Sequence, residues 1–239
     1  MILVTGASTG LGLATADVLA RAGNQVVLHA RRPDRIADPA LRDRMHAVIF
    51  GDLSDDTETR EVARQANELG RFDAVIHNAG VIDGPEVVAV NVIAPYILMA
   101  SLTPARRSIV LSSSMHLSGS TDLDRAFTRG GDYSTSKLLV TALAMALASR
   151  STSTLSHAVD PGWVPTRMGG RGAPDSLEEG HRTQEWLATA DESGIVPATG
   201  GYWHHRKERH PHPATTDAEF QAALIERLTE LTGLSFPKS

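Results

Sequence analysis

The chain has 239 residues, 41% of them hydrophobic, a formal net charge of -5 and no cysteine. Its length and apolar content suit one α/β domain with a substantial core. The acidic balance argues against a nucleic-acid or anionic-membrane partner, and the missing thiols exclude a disulfide framework, a cysteine nucleophile and thiolate metal sites.

The first stretch, Met1-Ile-Leu-Val-Thr-Gly-Ala-Ser-Thr-Gly-Leu-Gly12, reads as a buried strand running into a glycine-rich turn. A helix is expected from Leu11 to Ala22, closed by Gly23. Glycine suits such a joint because the backbone turns sharply and a side chain would hold a pyrophosphate away from the amides. The helix N-terminus offers the anion unpaired N–H groups and a partial positive charge. Because the first strand begins at Met1, no targeting segment is expected. The longest apolar run, Leu138 to Ala148, is too short to cross a bilayer, so the expectation is a cytoplasmic protein without membrane insertion.

Gln25 to Ala30 reads as the second strand, followed at once by Arg31 and Arg32. In a dinucleotide fold an acidic residue at this strand end would bind both ribose hydroxyls of NAD. Here Ala30 and then arginine stand there, and a guanidinium suits a 2′-phosphate. The pattern therefore predicts NADP in preference to NAD. His46 to Phe50 is a third strand, and Asp52 just beyond it either accepts from an adenine amino group or caps a local turn. A helix is expected from Ser54 to Leu69, with Ser54 as its N-cap. Phe72 to His77 is the fourth strand, ending in Asn78-Ala79-Gly80.

Glu86 to Leu102 is helical in pattern, with Pro95 starting a new turn or kinking the helix. Asn91 is the polar residue of an apolar segment, so it braces backbone or binds an ordered water. Ser108 to Leu111 is a fifth strand ending in three serines, and Gly119 to Gly131 reads as a surface loop. Tyr133 and Lys137 open a long helix to about Ser149 and share one face of it. That helix is apolar on most sides, which suits either the chain's own core or a homodimer seam.

Leu155 to Val159 is the sixth strand, followed by Asp160-Pro-Gly-Trp-Val-Pro-Thr166. Residues 167 to 191 read as a mobile substrate lid with a helix from Ser176 to Thr189. Trp163, Met168, Leu177, Trp186 and Leu187 suggest either an apolar ligand wall or simple lid packing. Gly200 to His204 is the seventh strand. His204, His205, His210 and His212 lie in a proline-broken stretch and read as a solvated loop, with no metal site expected. Asp217 to Leu231 is a terminal amphipathic helix. Strands alternate with helices over nearly the whole length, which predicts a single Rossmann-type domain, a doubly wound parallel sheet of about seven strands with helices on both faces.

Six motifs in this order resemble the short-chain dehydrogenase/reductase family. They are Thr5-Gly-Ala-Ser-Thr-Gly-Leu-Gly12, Asn78-Ala-Gly80, Asn91, the serine cluster, Tyr133-Ser-Thr-Ser-Lys137 and Pro161-Gly162. Ser114-Met-His116 and Trp163-Val-Pro-Thr166 are similar to its retinol-dehydrogenase-like and protochlorophyllide-reductase-like branch. The resemblance implies an NADP(H)-dependent oxidoreductase acting on a small alcohol/carbonyl substrate. Proton exchange at the substrate oxygen calls for a donor, and a lysine one turn from a tyrosine would lower the phenol's pKa. Tyr133 is therefore read as general acid/base, Lys137 as its partner and, by resemblance, a nicotinamide-ribose ligand. Ser113 is expected to hold the substrate oxygen, with Ser114 the next choice, and Asn91 resembles the family residue that anchors a relay water. The cofactor set implied is Gly6, Ser8, Thr9, Gly10, Leu11, Gly12, Arg31, Asp52, Leu53, Asn78, Ala79, Gly80, Tyr133, Lys137, Pro161, Gly162, Val164 and Thr166. The interval from Ser113 to Tyr133 exceeds the usual family spacing, a departure that falls on the substrate pocket more than on the chemistry. The competing reading is a non-catalytic NADP(H)-binding sensor or scaffold of the same fold.

Overall fold

Short apolar strands and amphipathic helices alternate along the chain, in a computed structural model that describes residues 1–36, 39–128 and 131–237. In order they are β1 (Ile2–Val4), α1 (Gly10–Arg21), β2 (Val26–Ala30), α2 (Pro39–Arg44), β3 (Ala47–Phe50), α3 (Asp56–Leu69), β4 (Ala74–His77), α4 (Ala94–Ser101), β5 (Arg107–Leu111), α5 (Leu123–Thr128), α6 (Tyr133–Arg150), β6 (Leu155–Asp160), α7 (Leu177–Thr189), β7 (Tyr202–His204), β8 (Lys207–Arg209) and α8 (Ala218–Thr232). The sheet order is β3-β2-β1-β4-β5-β6-β7-β8. All neighbours are parallel except the β7–β8 pair. The chain reverses direction across the sheet between β1 and β4, which opens a crevice beyond their carboxyl ends.

The parallel strands are buried on both faces, which is why they read as continuous apolar runs. Val4, Leu28, Ile76, Ile109 and Val159 pack with Ala16, Leu19 and Leu187 under α1 and α7. Leu3, Val27 and Val75 pack with Val62, Ala66 and Leu98 under α3 and α4. Val110 and Ala158 pack with Leu139, Leu143 and Leu228 under α6 and α8. Thus α6 meets its apolar demands inside this chain, without needing a dimer seam. No helix among the described residues is long and apolar enough to cross a membrane.

Several elements differ from the sequence reading. Asp55, not Ser54, caps α3, its carboxylate accepting from Glu58 N–H at 2.9 Å. Ser54 instead donates from its N–H and hydroxyl to Asp52, at 3.0 and 2.7 Å. Before α4 the chain makes a π-turn over Ala89–Ile93, in which Ala94 N–H donates to Ala89 C=O. Pro95 follows in the first turn of α4. It has no N–H to give a helical partner, and the wider turn absorbs the mismatch. The polar stretch read as a loop before Tyr133 contains α5, with residues 129 and 130 outside the described ones. The histidine-rich stretch begins as a hairpin, where His205 (φ 48°) and Arg206 (φ 60°) form the two-residue turn between β7 and β8.

The expected lid divides in two. Most of it is α7, capped by Ser176 and seated on α1 through Gln184 Nε2, which donates to Thr15 Oγ1 at 3.3 Å. Leu187 is fully buried, and the Trp186 ring lies 5.1 Å from Trp203. These are core side chains, and they remove Trp186 and Leu187 from any ligand wall. Trp163 and Met168 stay 58% and 39% exposed, on the segment that precedes α7.

Candidate active site

The glycine turn is locked to the end of β4. Thr5 Oγ1 accepts from the N–H groups of Asn78 and Ala79, at 3.0 and 3.1 Å. Asn78 Nδ2 returns hydrogen bonds to Thr5 C=O at 2.9 Å and Gly6 C=O at 3.3 Å. Gly6 has φ +62°, and a Cβ there would stand 2.7 Å from Ala79 Cα; a Cβ on Gly12 would meet Asn78 Nδ2 at 2.3 Å. These glycines are required by close approach of two strand ends as much as by ligand access. Ser8 is half-buried and Thr9 exposed. Thr9 occupies the N-cap of α1 without a side-chain cap, and no acidic residue enters the first turn. Those N–H groups and the dipole end are left for an anion.

His29 of β2 braces this turn. Its Nδ1 accepts from Gly6 N–H at 3.1 Å, which fixes the proton on Nε2, 3.0 Å from Gly51 C=O. Burial pushes it down to about 4, against the Gly51 bond and the Asp52 charge, so it is a neutral spacer between β1 and β3 at ordinary pH. It was legible only as the one polar residue in an apolar strand. Beyond Ala30, Arg31 Nε lies 3.4 Å from Asp52 Oδ2. Burial raises the Asp52 carboxyl, but the Ser54 bonds and the Arg31 and Arg32 charges outweigh it and hold the group below its usual range. Asp52 thus caps its own turn, the second of the two roles open to it, and Leu53 behind it is buried.

The opposite wall comes from the segment after β6. A Cβ on Gly10 would lie 3.4 Å from the Thr166 side chain. Val164 and Leu11 meet over α7, where a Cβ on Gly180 would reach Val164 Cγ1 at 2.5 Å and Leu11 Cδ1 at 3.3 Å. Pro161 and Gly162 (φ +82°) make the bend that turns this segment back over the crevice.

Tyr133 and Lys137 start α6, whose cap Asp132 accepts from Thr135 N–H at 2.7 Å. Lys137 is 5% exposed and its Nζ donates to Leu111 C=O at 2.7 Å. Nζ stands 5.4 Å from the centre of the Tyr133 ring. Burial lowers Lys137 to about 8, opposed by the Asp160 charge. Tyr133 moves upward, first through burial and also through Asp160, while its hydrogen bond with the Ser113 side chain pulls it down. The expected lowering by Lys137 is not found: the ammonium is directed to Leu111 and meets the ring face instead. Ser113 also accepts from Met115 N–H at 3.2 Å, while Ser114 points into exposed surroundings. A Cβ on Gly80 would be 3.3 Å from Asn91 Oδ1 and 3.6 Å from Lys137 Nζ, so the loop after β4 touches this pair.

Asn91 braces that loop. Its Oδ1 accepts from Val81 N–H at 2.8 Å and its Nδ2 donates to Val81 C=O at 2.9 Å. Asn91 and Ser136, both buried, are themselves hydrogen-bonded. Two further residues had no structural role in the sequence reading, which named His116 only within a branch motif. His116 is fully buried; its Nδ1 pairs with Ser113 C=O at 2.7 Å and its Nε2 accepts from His212 N–H at 2.9 Å. Asp160, read only as part of a strand-end turn, is 6% exposed and its charge reaches both Tyr133 and Lys137. Neither carries a local signal, because each acts across the sheet.

A family model described as short chain dehydrogenase matches residues 1–176. The chain is 37% identical over 256 residues to the short-chain dehydrogenase chry4 of Gibberella zeae, covering 99% of this chain and 98% of that one. It is 27% identical over 285 residues to retinol dehydrogenase 13 of Homo sapiens, covering 99% and 85%. Among solved structures, the NADPH-bound carbonyl reductase from chicken fatty liver superposes with a TM-score of 0.70 at 20% identity, over 88% of this chain and 98% of that one. That likeness is one of fold.

Proposed function

The chain belongs to the short-chain dehydrogenase/reductase family and is an NAD(P)-dependent oxidoreductase, and on that premise we propose that it exchanges hydride between NADP(H) and an alcohol/carbonyl pair, with Tyr133 as acid/base. The observation that carries this reading is the convergence of Tyr133, Lys137, Ser113 and Gly80 beside the glycine turn, at the carboxyl edge of the sheet.

The residues fit such a cofactor. The uncapped first turn of α1, with Gly6 to Gly12, receives the pyrophosphate. Arg31 receives a 2′-phosphate, and Leu53 and Asp52 border the adenine. Asn78, Ala79 and Gly80 line the cleft, with Thr166 and Val164 opposite and Lys137 at the nicotinamide ribose. NADPH, when bound, supplies the hydride to the carbonyl carbon. Ser113 Oγ donates to the carbonyl oxygen and stabilises its growing negative charge. Tyr133 gives its phenolic proton to that oxygen, and the Ser113 hydrogen bond acts against the upward pull of burial on that phenol. The Ser113 hydrogen bond, which pulls the Tyr133 ionisation down, favours the phenolate that remains, with the Lys137 ammonium beside the ring face. In the reverse direction the phenolate takes the alcohol proton. Asn91 holds the Gly80–Val81 backbone against Lys137.

We take the chain as one catalytic domain, its lid reduced to the segment between Val164 and Ser176 with α7 as the fixed end. Trp163 and Met168 on and beside it are offered to substrate. The test is NADPH oxidation across a carbonyl panel, run beside NADH. Turnover favouring NADPH is expected; tight NADPH binding with no turnover would instead mark a cofactor-binding sensor.

A further inference from the structure

Asp160 is the last residue of β6 and is 6% exposed. In the sheet register Leu111 of β5 faces Val159 of β6. The carbonyl that receives the Lys137 ammonium therefore sits one residue from a buried carboxylate. Burying a carboxylate is costly unless opposite charge and hydrogen bonds compensate it. Among the described residues, Oδ1 accepts one backbone bond, from Gly162 N–H at 3.0 Å. Across the next register pair, Asp160 faces His204 of β7, whose Nδ1 lies 3.5 Å from Oδ2.

His204 is itself held. The His205 ring stacks on it at 3.9 Å, and a Cβ on Gly162 would come within 3.2 Å of His205 Nε2. The two-residue turn between β7 and β8 gives His205 and Arg206 the left-handed backbone that residues other than glycine rarely adopt. A strained turn that fixes a side chain under a site is worth a functional explanation. The groups that face the carboxylate come from three elements: Tyr133 and Lys137 on α6, His116 on the turn after β5, and Tyr202 and His204 on β7. Asp175, which a Cβ on Gly162 would meet at 2.5 Å, accepts from Trp163 N–H at 2.6 Å.

We infer that Asp160 is the fixed counter-charge of the Lys137 ammonium, a positioning residue that tunes the Tyr133–Lys137 pair from behind and is itself held in place by His204. The inference rests on reading Tyr133 and Lys137 as the reacting pair. Its sign is single-valued. A nearby negative charge favours the protonated form of both partners, so removing it moves both ionisations towards acid. A purely structural aspartate would lower activity at every pH and leave the limbs of the profile where they were.

The test compares wild type, Asp160→Asn and Asp160→Glu. The alkaline limb of kcat/KM for carbonyl reduction should move to lower pH by about one pH unit or more in Asp160→Asn, and stay near wild type in Asp160→Glu. Tyrosinate absorbance without substrate gives a second readout, taking the Tyr133 contribution as the difference from Tyr133→Phe. Its midpoint should also fall in Asp160→Asn. Should no carbonyl be turned over while that midpoint still falls, the counter-charge stands and the acid/base reading of Tyr133 is what fails. An unmoved limb and midpoint in a folded Asp160→Asn overturn the inference. If that variant does not fold, Asp160→Ser, which keeps an acceptor for Gly162 N–H, takes its place. Failure of both neutral variants to fold would also overturn it, because the carboxylate would then be holding the strand end.

Discussion

Asn91 donates to the Ser136 hydroxyl at 2.9 Å, joining the π-turn before α4 to the helix that carries Tyr133 and Lys137. The Ser136 hydroxyl in turn donates to Tyr133 C=O at 2.7 Å. The loop that ends β4 and the first turn of α6 are therefore tied together through Asn91. Asn91→Ala leaves the N–H and C=O of Val81 and the Ser136 hydroxyl short of a partner. It should destabilise the fold by about 2–4 kcal/mol and raise the KM for NADPH, because Gly80 loses its brace. Ser136→Ala removes less and should cost about 1 kcal/mol. Urea unfolding with cofactor titration checks both, and equal effects from the two substitutions would contradict the account.

Arg31 Nε stands 3.4 Å from Asp52, so the guanidinium has a defined place at the end of β2. Arg31→Ala should raise the KM for NADPH by about 10- to 100-fold, the worth of charge-assisted bonds to a phosphate. The KM for NADH should change little. Parallel loss with both cofactors would mean that Arg31 supports the fold rather than the 2′-phosphate.

Three buried histidines should weaken the fold in acid. Desolvation takes His29, His77 and His157 from 6.5 to about 4 in the folded chain. Between these values the unfolded chain binds more protons than the folded one, so stability is fully present above about pH 6.5 and is lost as pH falls towards 4. His77 Nδ1 is also buried without a hydrogen-bond partner among the described residues. His77→Leu should therefore raise Tm, and by more at pH 5 than at pH 7.5, in calorimetry at both values. A uniform shift at the two pH values would remove His77 from the acid transition.

The sequence was most informative where function is local. Strand, glycine turn and helix are adjacent in the chain, and Tyr133 and Lys137 share a helical turn, so each is visible locally and gains weight from its order among the other motifs. The parallel sheet was equally legible, because strands buried on both faces leave continuous apolar runs. What stayed hidden depends on register and packing. Asp160 gains its meaning from facing His204 and lying one residue from the partner of Leu111. His116 gains its own from the return of residue 212 across the sheet edge. Trp163 and Trp186 look alike in sequence, yet one is exposed and the other meets Trp203 edge to face. The π-turn is written in Pro95, but its width is settled only by the fit of Asn91 to Val81.

Tyr133→Phe tests the central claim most directly. The substitution removes one hydroxyl and keeps the ring against which Lys137 stands at 5.4 Å. NADPH oxidation with a carbonyl substrate should fall by about 100-fold or more, the usual worth of a positioned acid, while the Kd for NADPH stays within about threefold of wild type. Retention of most of the wild-type kcat by a correctly folded Tyr133→Phe protein would contradict the account.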